Sequence, residues 1–214
     1  MLISRIMTKN PVSVNPELSL TDARALMDRQ TIGHLPVLDK NGGLVGIVTR
    51  QDLLKASPSA ATSLDMYEIN YLLSKLTVEK VMTKKVIVVQ ENEVVENAAR
   101  IMSDRYIGCL PVMNGLLLVG IVTDTDIFRF FVDAFGTRHE GVRITINVLE
   151  KPGQIAAFAG SIAEKGGNIV ALVTAEGDDP TCRRITLKIA GIDVATVEAV
   201  AKATAGVEIE DLRK

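Results

Sequence analysis

The sequence holds few of the side chains from which metal centres and nucleophilic catalytic sites are built. Its 214 residues include two cysteines, two histidines and no tryptophan. Cys109 and Cys182 are too few for a disulfide framework, which favours a reducing compartment, so we expect a cytoplasmic protein. No Ser/His/Asp, Cys/His or metal-ligand constellation is visible. We therefore expect no catalytic residues, no metal and no cofactor.

Long apolar segments and an excess of one charge are also lacking. The longest apolar run, Leu116–Val122, is interrupted by Gly120 and is too short to cross a bilayer. The first ten residues lack the apolar core of a signal peptide. The net charge is −2, from 24 lysines and arginines against 26 aspartates and glutamates. We therefore expect a globular protein with no nucleic-acid and no membrane partner.

What the sequence does contain is an internal repeat. The first two repeated segments recur 75 positions later and the third recurs 74 positions later, because the turn before the third is one residue shorter in the second copy. A deletion confined to a turn is tolerated by a duplicated fold. The repeated segments are Arg5–Lys9 with Lys80–Lys84, Ile32–Val37 with Ile107–Val112, and Leu44–Thr49 with Leu118–Thr123.

Each repeat has the same predicted order of elements: strand, helix, strand, strand, helix. Apolar residues at helical spacing form a stripe at Leu20, Ala23 and Met27, and the second repeat has the same stripe. Two short apolar runs joined by an Asn-Gly turn predict a β-hairpin whose turn needs positive φ. Second helices are predicted near Asp52 and Asp126. A unit this small needs its twin to cover its core.

The third segment has a different pattern. Apolar residues alternate with polar ones from Val142 to Val148, which predicts a half-buried strand. A helix is expected to open at Lys151-Pro-Gly, with proline in or near its first turn. Two further strands, a helix capped by Asp193 and a last strand complete the order βαββαβ, which is the ferredoxin-like arrangement.

The repeated ends Gly46–Asp52 and Gly120–Asp126, with the two Gly-x-Leu-Pro segments, resemble cystathionine-β-synthase (CBS) motifs. A tandem pair resembles a Bateman module. The segment from Val142, with Lys-Pro-Gly-Gln and then Gly-Gly-Asn-Ile, is similar to an ACT domain. This order of domains resembles the acetoin-utilisation (AcuB-like) regulatory family. The expected fold class is therefore α/β (α+β), with a pseudo-two-fold CBS pair followed by a ferredoxin-like ACT domain.

The expected domain boundaries follow from the repeat and the resemblance. They are residues 1–56 for the first CBS motif, 57–76 for a linker and a helix over about 64–75, 77–134 for the second CBS motif, 135–141 for a hinge, and 142–214 for the ACT domain.

The Thr-x-x-Asp pattern at the end of each repeat has two interpretations. Thr at an N-cap with an acid three residues later caps a helix, and Ser19–Asp22 has the same spacing with no other expected role. The CBS resemblance implies instead that the Asp carboxylate accepts hydrogen bonds from ribose hydroxyls. The two roles are compatible, so the capping interpretation does not exclude ligand binding.

The resemblance implies an adenosyl ligand: AMP, ADP, ATP or a related molecule. The Gly-x-Leu-Pro segments would lie along the adenine edge and nearby apolar residues would cover the base, although Leu35 and Leu110 are equally explained as core residues. His34 and Cys109 occupy equivalent positions, which argues against catalysis or metal binding by either. The implied ligand-binding residues are Val12, Val14, Gly33, His34, Leu35, Pro36, Thr49, Arg50, Asp52, Ile87, Val88, Gly108, Cys109, Leu110, Pro111, Thr123 and Asp126.

The two implied sites differ in charge. Arg50 lies between Thr49 and Asp52, whereas Asp124 holds this position in the second repeat. Arginine pairs well with phosphate and aspartate repels it. We therefore expect a phosphorylated adenosine at the first site, and weak binding or an uncharged adenosine moiety at the second. Arg50 as a solvated surface charge is the alternative.

The ACT resemblance implies pairing of two sheets and a small effector near the loop after the first strand. Pro152, Gly153, Gln154 and Asn168 match that region. Amino-acid-binding ACT domains commonly carry Asp before Pro-Gly, whereas this chain has Glu150-Lys151, so a domain used only for dimerisation is the alternative.

Taken together, the sequence predicts a non-enzymatic, allosteric regulatory protein that binds an adenosyl ligand in its CBS pair. The resemblance implies a homodimer or higher homo-oligomer formed through the CBS pair and the ACT sheets, acting on an unidentified regulated protein. The alternative is a structural dimerisation or interaction module with vestigial clefts. An enzyme is the least favoured class, because a fold alone confers no activity.

Overall fold

The computed structural model describes residues 1–56 and 75–214. The expected linker and nearly all of the helix expected over residues 64–75 lie outside the described residues. The chain divides into two compact units, Met1–Ile127 and Phe128–Lys214, which are described separately below.

The two repeats contain short strands and helices in matching order. After a 3-10 turn at Ile3–Arg5, the elements are β1 (Thr8–Lys9), α1 (Leu20–Gln30), β2 (His34–Leu38), β3 (Leu44–Thr49), α2 (Arg50–Ala56), α3 (Val78–Val81), β4 (Val89–Gln90), α4 (Val95–Arg105), β5 (Cys109–Asn114), β6 (Leu117–Thr123) and α5 (Asp124–Ala134). Strands β1, β6, β5 and β4 form one sheet in that order, and β2 pairs with β3 in another.

The apolar stripe predicted for α1 is buried, as is its counterpart on α4. The Ser19 side chain accepts a hydrogen bond from the backbone N–H of Asp22, so this Ser-x-x-Asp pattern is a helix cap, as expected. The hairpin turns have positive φ at Gly42 and Gly115, also as expected. Helices α2 and α5 begin two residues earlier than predicted, directly after the threonine of each motif.

The opening segment of each repeat lies against the hairpin of the other repeat. Strand β1 of the first repeat pairs with β6 of the second, placing Thr8 opposite Ile121. Thr83 of the second repeat forms the equivalent bridge to Ile47 of the first. Ile47 and Ile121 are buried together with Cys109 in one cluster. Each repeat therefore completes the fold of its twin, which confirms that neither repeat covers its core alone.

The second unit is a four-stranded antiparallel sheet with two helices, in the strand order β10-β7-β9-β8. Its elements are β7 (Val142–Leu149), α6 (Gln154–Glu164), β8 (Asn168–Glu176), β9 (Cys182–Ala190), α7 (Val194–Ala203) and β10 (Val207–Arg213). This is the predicted βαββαβ arrangement. The inward-facing apolar residues of β7 pack on Phe158 and Ile162 of α6, and Asp193 caps α7 as expected.

The first helix of the second unit begins close to the predicted Lys151-Pro-Gly segment. The first helix begins at Gln154, and Pro152 lies before it rather than in its first turn. The N-cap is Gly153 with φ of 91°, a left-handed conformation that an L side chain rarely adopts. Glycine rather than proline therefore sets the start of α6.

None of the helices in the described parts of the chain is long and apolar enough to cross a membrane.

Candidate ligand-binding cleft

A cleft of about 590 Å³ lies between the two repeats of the first unit. The first repeat contributes the start of β2, the end of β3 and the exposed side of α2. The second repeat contributes Thr83, residues 85–87, the segment that leads into β5 and the start of that strand. Nine of the sequence-predicted ligand residues line this cleft: Gly33, His34, Thr49, Arg50, Asp52, Ile87, Gly108, Cys109 and Pro111.

Thr49 and Asp52 form a reciprocal capping arrangement at the start of α2. The Thr49 backbone N–H and hydroxyl donate to Oδ2 of Asp52 at 2.9 and 2.7 Å. The Asp52 N–H donates back to the Thr49 hydroxyl oxygen at 3.2 Å. The helix-capping interpretation is therefore correct. These bonds use only Oδ2 of Asp52, so Oδ1 remains an acceptor with no partner among residues 1–56 and 75–214.

Thr123 and Asp126 repeat this arrangement, with donor–acceptor distances of 2.9 and 2.7 Å to Oδ2 of Asp126. The two carboxylates differ in accessibility, however. Asp126 is only 8% exposed, whereas Asp52 is half-buried and lines the cleft. Thr123 and Asp126 are not among the residues that line this cleft. The accessible carboxylate of the pair is therefore that of the first repeat.

Arg50 is neither a free phosphate ligand nor a fully solvated charge. Its guanidinium donates to Oδ1 of Asp28 at 2.5 Å and to the carbonyl of Ile32 at 3.2 Å. The side chain remains 45% exposed and lines the cleft. The guanidinium that was expected to bind a phosphate is therefore paired with Asp28 in this arrangement.

His34 and Cys109 both line the cleft, at equivalent positions opposite Thr49 and Thr123 in the two hairpins. Burial lowers the pKa of His34, while the nearby carboxylates of Asp124 and Asp52 act in the opposite direction. Burial and the same two carboxylates raise the pKa of Cys109 to about 12. The wall thus presents a neutral thiol, which is a poor nucleophile and a poor metal ligand.

Other sequence-predicted residues lie outside this cleft. Leu35 and Leu110 are fully buried, which is the packing role considered for them, and Val14 is buried in the core of the first repeat. Pro36 is also buried. Val12 and Val88 are exposed but do not line the cleft.

Sequence reasoning missed eight residues that line the cleft: Ile47, Gln51, Lys55, Thr83, Lys85, Val86, Tyr106 and Ile107. Thr83 lies in the repeated Met-Thr-Lys opening and Tyr106 directly precedes the repeated Ile-Gly segment, so the repeat was the available signal. The repeat alone did not identify these lining residues, because it gives no indication that the opening segment of one repeat lies against the hairpin of the other.

The residues implied for an ACT effector do not come together within one chain. Strand β7 ends at Leu149, just before Pro152 and Gly153, whereas Asn168 begins β8 at the end of the sheet where β7 starts. At about 3.3 Å per residue, the eight residues of β7 separate these ends by roughly 25 Å. Within one chain, Gly153 and Asn168 therefore lie at opposite ends of the sheet, and the implied effector site between two paired sheets stays a prediction.

Among the residues that the structure describes, no group of three or more His, Cys, Asp or Glu side chains is arranged to hold a metal ion.

Comparison with protein families agrees with this architecture. The CBS domain family model matches residues 3–59 and 78–133, and a TTHA0829-like ACT domain model matches residues 140–213. The two CBS matches cover more than half of the chain, and the protein therefore belongs to the CBS-domain family, with a C-terminal ACT domain.

Solved structures give the same classification. The CBS domain pair of protein MJ0100, in complex with 5′-methylthioadenosine and S-adenosyl-L-methionine, is 33% identical, with a TM-score of 0.53 over 65% of this chain and 98% of that one. A putative acetoin utilisation protein (AcuB) from Vibrio cholerae is 30% identical, with the same TM-score and coverage. CBSX2 in complex with AMP is 31% identical, with a TM-score of 0.50 over 61% of this chain and 96% of that one.

A curated relative is the L-aspartate semialdehyde sulfurtransferase of Methanocaldococcus jannaschii, which is 34% identical over 131 residues, or 61% of this chain. The alignment spans only 23% of the length of that relative.

Proposed function

We propose that this protein is a non-enzymatic regulatory sensor that binds an adenosyl ligand in the cleft at Asp52. The observation that carries the proposal is the unused Oδ1 of Asp52, a residue that lines a cleft large enough for a nucleotide. An ionised carboxylate oxygen is a strong acceptor for the hydroxyls of a ribose. The solved CBS pairs with 5′-methylthioadenosine, S-adenosyl-L-methionine and AMP support this class of ligand.

The cleft suggests how binding becomes a signal. Its walls come from both repeats, with Asp52 on one side and Thr83 and residues 85–87 on the other. A ligand that contacts both sides stabilises the arrangement of the repeats in which it fits best, and so shifts the population toward it. In this proposal the ACT domain forms the homo-oligomer, and the hinge at residues 135–141 transmits the change to an unidentified regulated protein.

The named activity of the sulfurtransferase relative is not transferred to this chain, since the alignment spans less than a quarter of that protein. The cleft itself favours binding over chemistry. Its thiol is protonated and buried, and the Asp52 carboxylate is engaged in capping α2. We therefore propose a binding role, with no catalytic residue and no resident cofactor.

Calorimetric titration of nucleotide-free protein with AMP, ADP, ATP and S-adenosyl-L-methionine tests this function. We expect binding of at least one of these ligands in the micromolar range, lost in Asp52→Ala and largely retained in Asp126→Ala. The two variants are matched, because each removes the acid of an equivalent capping arrangement. Absence of binding for every ligand, or equal loss in both variants, would contradict the proposed site.

A structural module with vestigial clefts is the second candidate. The observation in its favour is Asp126, whose carboxylate is buried and caps α5 in the manner of Asp52 on α2. If both motifs served only as caps, the purified protein would carry no nucleotide and its oligomeric state would be independent of adenosyl ligands. Mass spectrometry of the denatured protein for released nucleotide distinguishes the two candidates.

A further inference from the structure

The charges around the cleft point to a preference among adenosyl ligands. We infer that the cleft selects adenosine 5′-phosphates over 5′-thioether and sulfonium analogues, and that Lys55 and Lys85 are the side chains that discriminate. This inference rests on the proposed function and names the ligand class for the same site.

Two lysines supply positive charge at the cleft, where the carboxylates of Asp52 and Asp124 act on His34. Lys55 and Lys85 line the cleft, and neither has an ion-pair partner in the described parts of the chain. The neighbouring Lys84 differs, because its ammonium pairs with Glu79 at 3.5 Å and it does not line the cleft. Arg50 is paired with Asp28. Among the described residues that line the cleft, Lys55 and Lys85 are therefore the cations without an ion-pair partner.

The positions of the two lysines fit a ligand whose ribose lies at Asp52. Lys55 follows Asp52 by three residues in α2, so the two side chains are neighbours on one helix face. Lys85 lies in the segment from the second repeat, close in sequence to Ile87, which also lines the cleft. Both lysines therefore line the same cleft as Asp52, one from each repeat.

The same arrangement disfavours the alternatives. A 5′-methylthio group has no charge for the two ammonium groups to bind. A sulfonium adds a third cation beside them, and like charges repel. The ligands of the MJ0100 CBS pair are therefore expected to bind more weakly here than an adenosine phosphate, although the two chains are 33% identical.

The test compares AMP with 5′-methylthioadenosine, which share the adenosine moiety and differ at the 5′ position. Calorimetry is performed on the full, nucleotide-free chain and on Lys55→Gln, Lys85→Gln and the control Lys84→Gln. We expect AMP to bind wild type at least about tenfold more tightly than 5′-methylthioadenosine, since charge-assisted hydrogen bonds are among the stronger polar contacts. Each cleft variant should lose about tenfold for AMP and retain its affinity for 5′-methylthioadenosine.

Several outcomes would overturn the inference. They are equal affinity of wild type for the two ligands, a preference for S-adenosyl-L-methionine, or the same loss of AMP affinity in Lys84→Gln as in the cleft variants. The proposed function would survive any of these if Asp52→Ala still abolished binding. If no adenosyl ligand bound wild type, the proposed function itself would fail, together with the inference. Thermal melting of each variant establishes that it is folded.

Discussion

Met82 of the second repeat packs against Gly46 of the first, at a distance that leaves no room for a β-carbon on the glycine. Met7 of the first repeat packs in the same way against Gly120 of the second. Both methionines belong to the repeated Met-Thr openings, and both glycines lie in the strands that lead to the Thr-x-x-Asp motifs. This reciprocal packing brings Thr83 and residues 85–87 to the cleft that contains Asp52.

Substitution of Gly46 by alanine should destabilise the CBS unit, because the new methyl group overlaps the Met82 side chain. We expect a loss of about 1–3 kcal/mol in the free energy of unfolding, typical of overpacking. Met82→Ala should relieve much of the overlap in the double variant. Chemical denaturation of the four proteins measures this coupling as a double-mutant cycle, and strict additivity of the two losses would contradict it.

Alanine at Gly120 meets a different neighbour from alanine at Gly46. A β-carbon at Gly120 would meet not only Met7 but also the backbone carbonyl of Thr8 at 3.1 Å. Backbone in a paired strand moves less readily than a methionine side chain. Gly120→Ala should therefore cost more stability than Gly46→Ala, and Met7→Ala should restore less of it.

The capping and ligand-binding roles of Asp52 are separable. Asp52→Ala removes the reciprocal hydrogen bonds with Thr49 and should lower the free energy of unfolding by about 1 kcal/mol. Asp22→Ala removes the bond from the Ser19 hydroxyl at another helix start, away from the cleft, and should have a similar cost. Only Asp52→Ala should weaken adenosyl binding. Equal loss of binding in Asp22→Ala would show that general destabilisation, not the carboxylate, was responsible.

Cys109 should be unreactive in the folded protein. Its thiol is buried, and its pKa is raised to about 12, so very little thiolate exists at pH 8. Cys182 is only half-buried and should react first with a thiol-specific reagent such as dithionitrobenzoate. We expect one equivalent of thionitrobenzoate to be released on reaction with native protein and two equivalents in denaturant. Rapid labelling of Cys182→Ser under native conditions would contradict the buried position of Cys109.

His34 should make stability depend on pH below its ordinary pKa of 6.5. Burial lowers the pKa of His34 in the folded state, so below pH 6.5 the unfolded chain takes up a proton that the folded chain binds less readily. The contribution of His34 to the free energy of unfolding is therefore complete above pH 6.5. It is lost as the pH falls toward the lowered pKa of His34 in the folded state. The carboxylates of Asp124 and Asp52 oppose the shift.

Denaturation of wild type and His34→Gln between pH 5 and 8 measures this contribution. The stability difference between the two proteins should be constant above about pH 7 and should change below 6.5, where wild type loses stability more steeply. A constant difference across the whole range would show that His34 titrates alike in the folded and unfolded chains.

Local patterns were enough to predict much of the architecture. Helix periodicity identified the stripe Leu20, Ala23 and Met27, and the Asn-Gly turn identified the hairpin, because both depend on residues close in sequence. The repeated Gly-Ile-Val-Thr-x-x-Asp ends indicated Asp52 and Asp126 as candidate ligand-binding carboxylates, and the structure places Asp52 in the wall of the cleft. Each of these signals is local or is repeated in register.

The features that were missed depend on contacts between distant residues. Arg50 pairs with Asp28, 22 positions earlier, and nothing in the motif indicates that partner. Lys85 reaches the cleft only because the opening segment of the second repeat crosses to the first. Asn168 lies at the opposite end of the ACT sheet from Gly153, which follows from strand register rather than from sequence similarity.

A crystal structure of the full chain with AMP would locate the ligand. We expect AMP in the cleft between the repeats, with a ribose hydroxyl within hydrogen-bond distance of Oδ1 of Asp52 and the 5′-phosphate beside the ammonium groups of Lys55 and Lys85. Ordered AMP elsewhere on the protein, or in the cleft with its ribose turned away from Asp52, would contradict the proposed site.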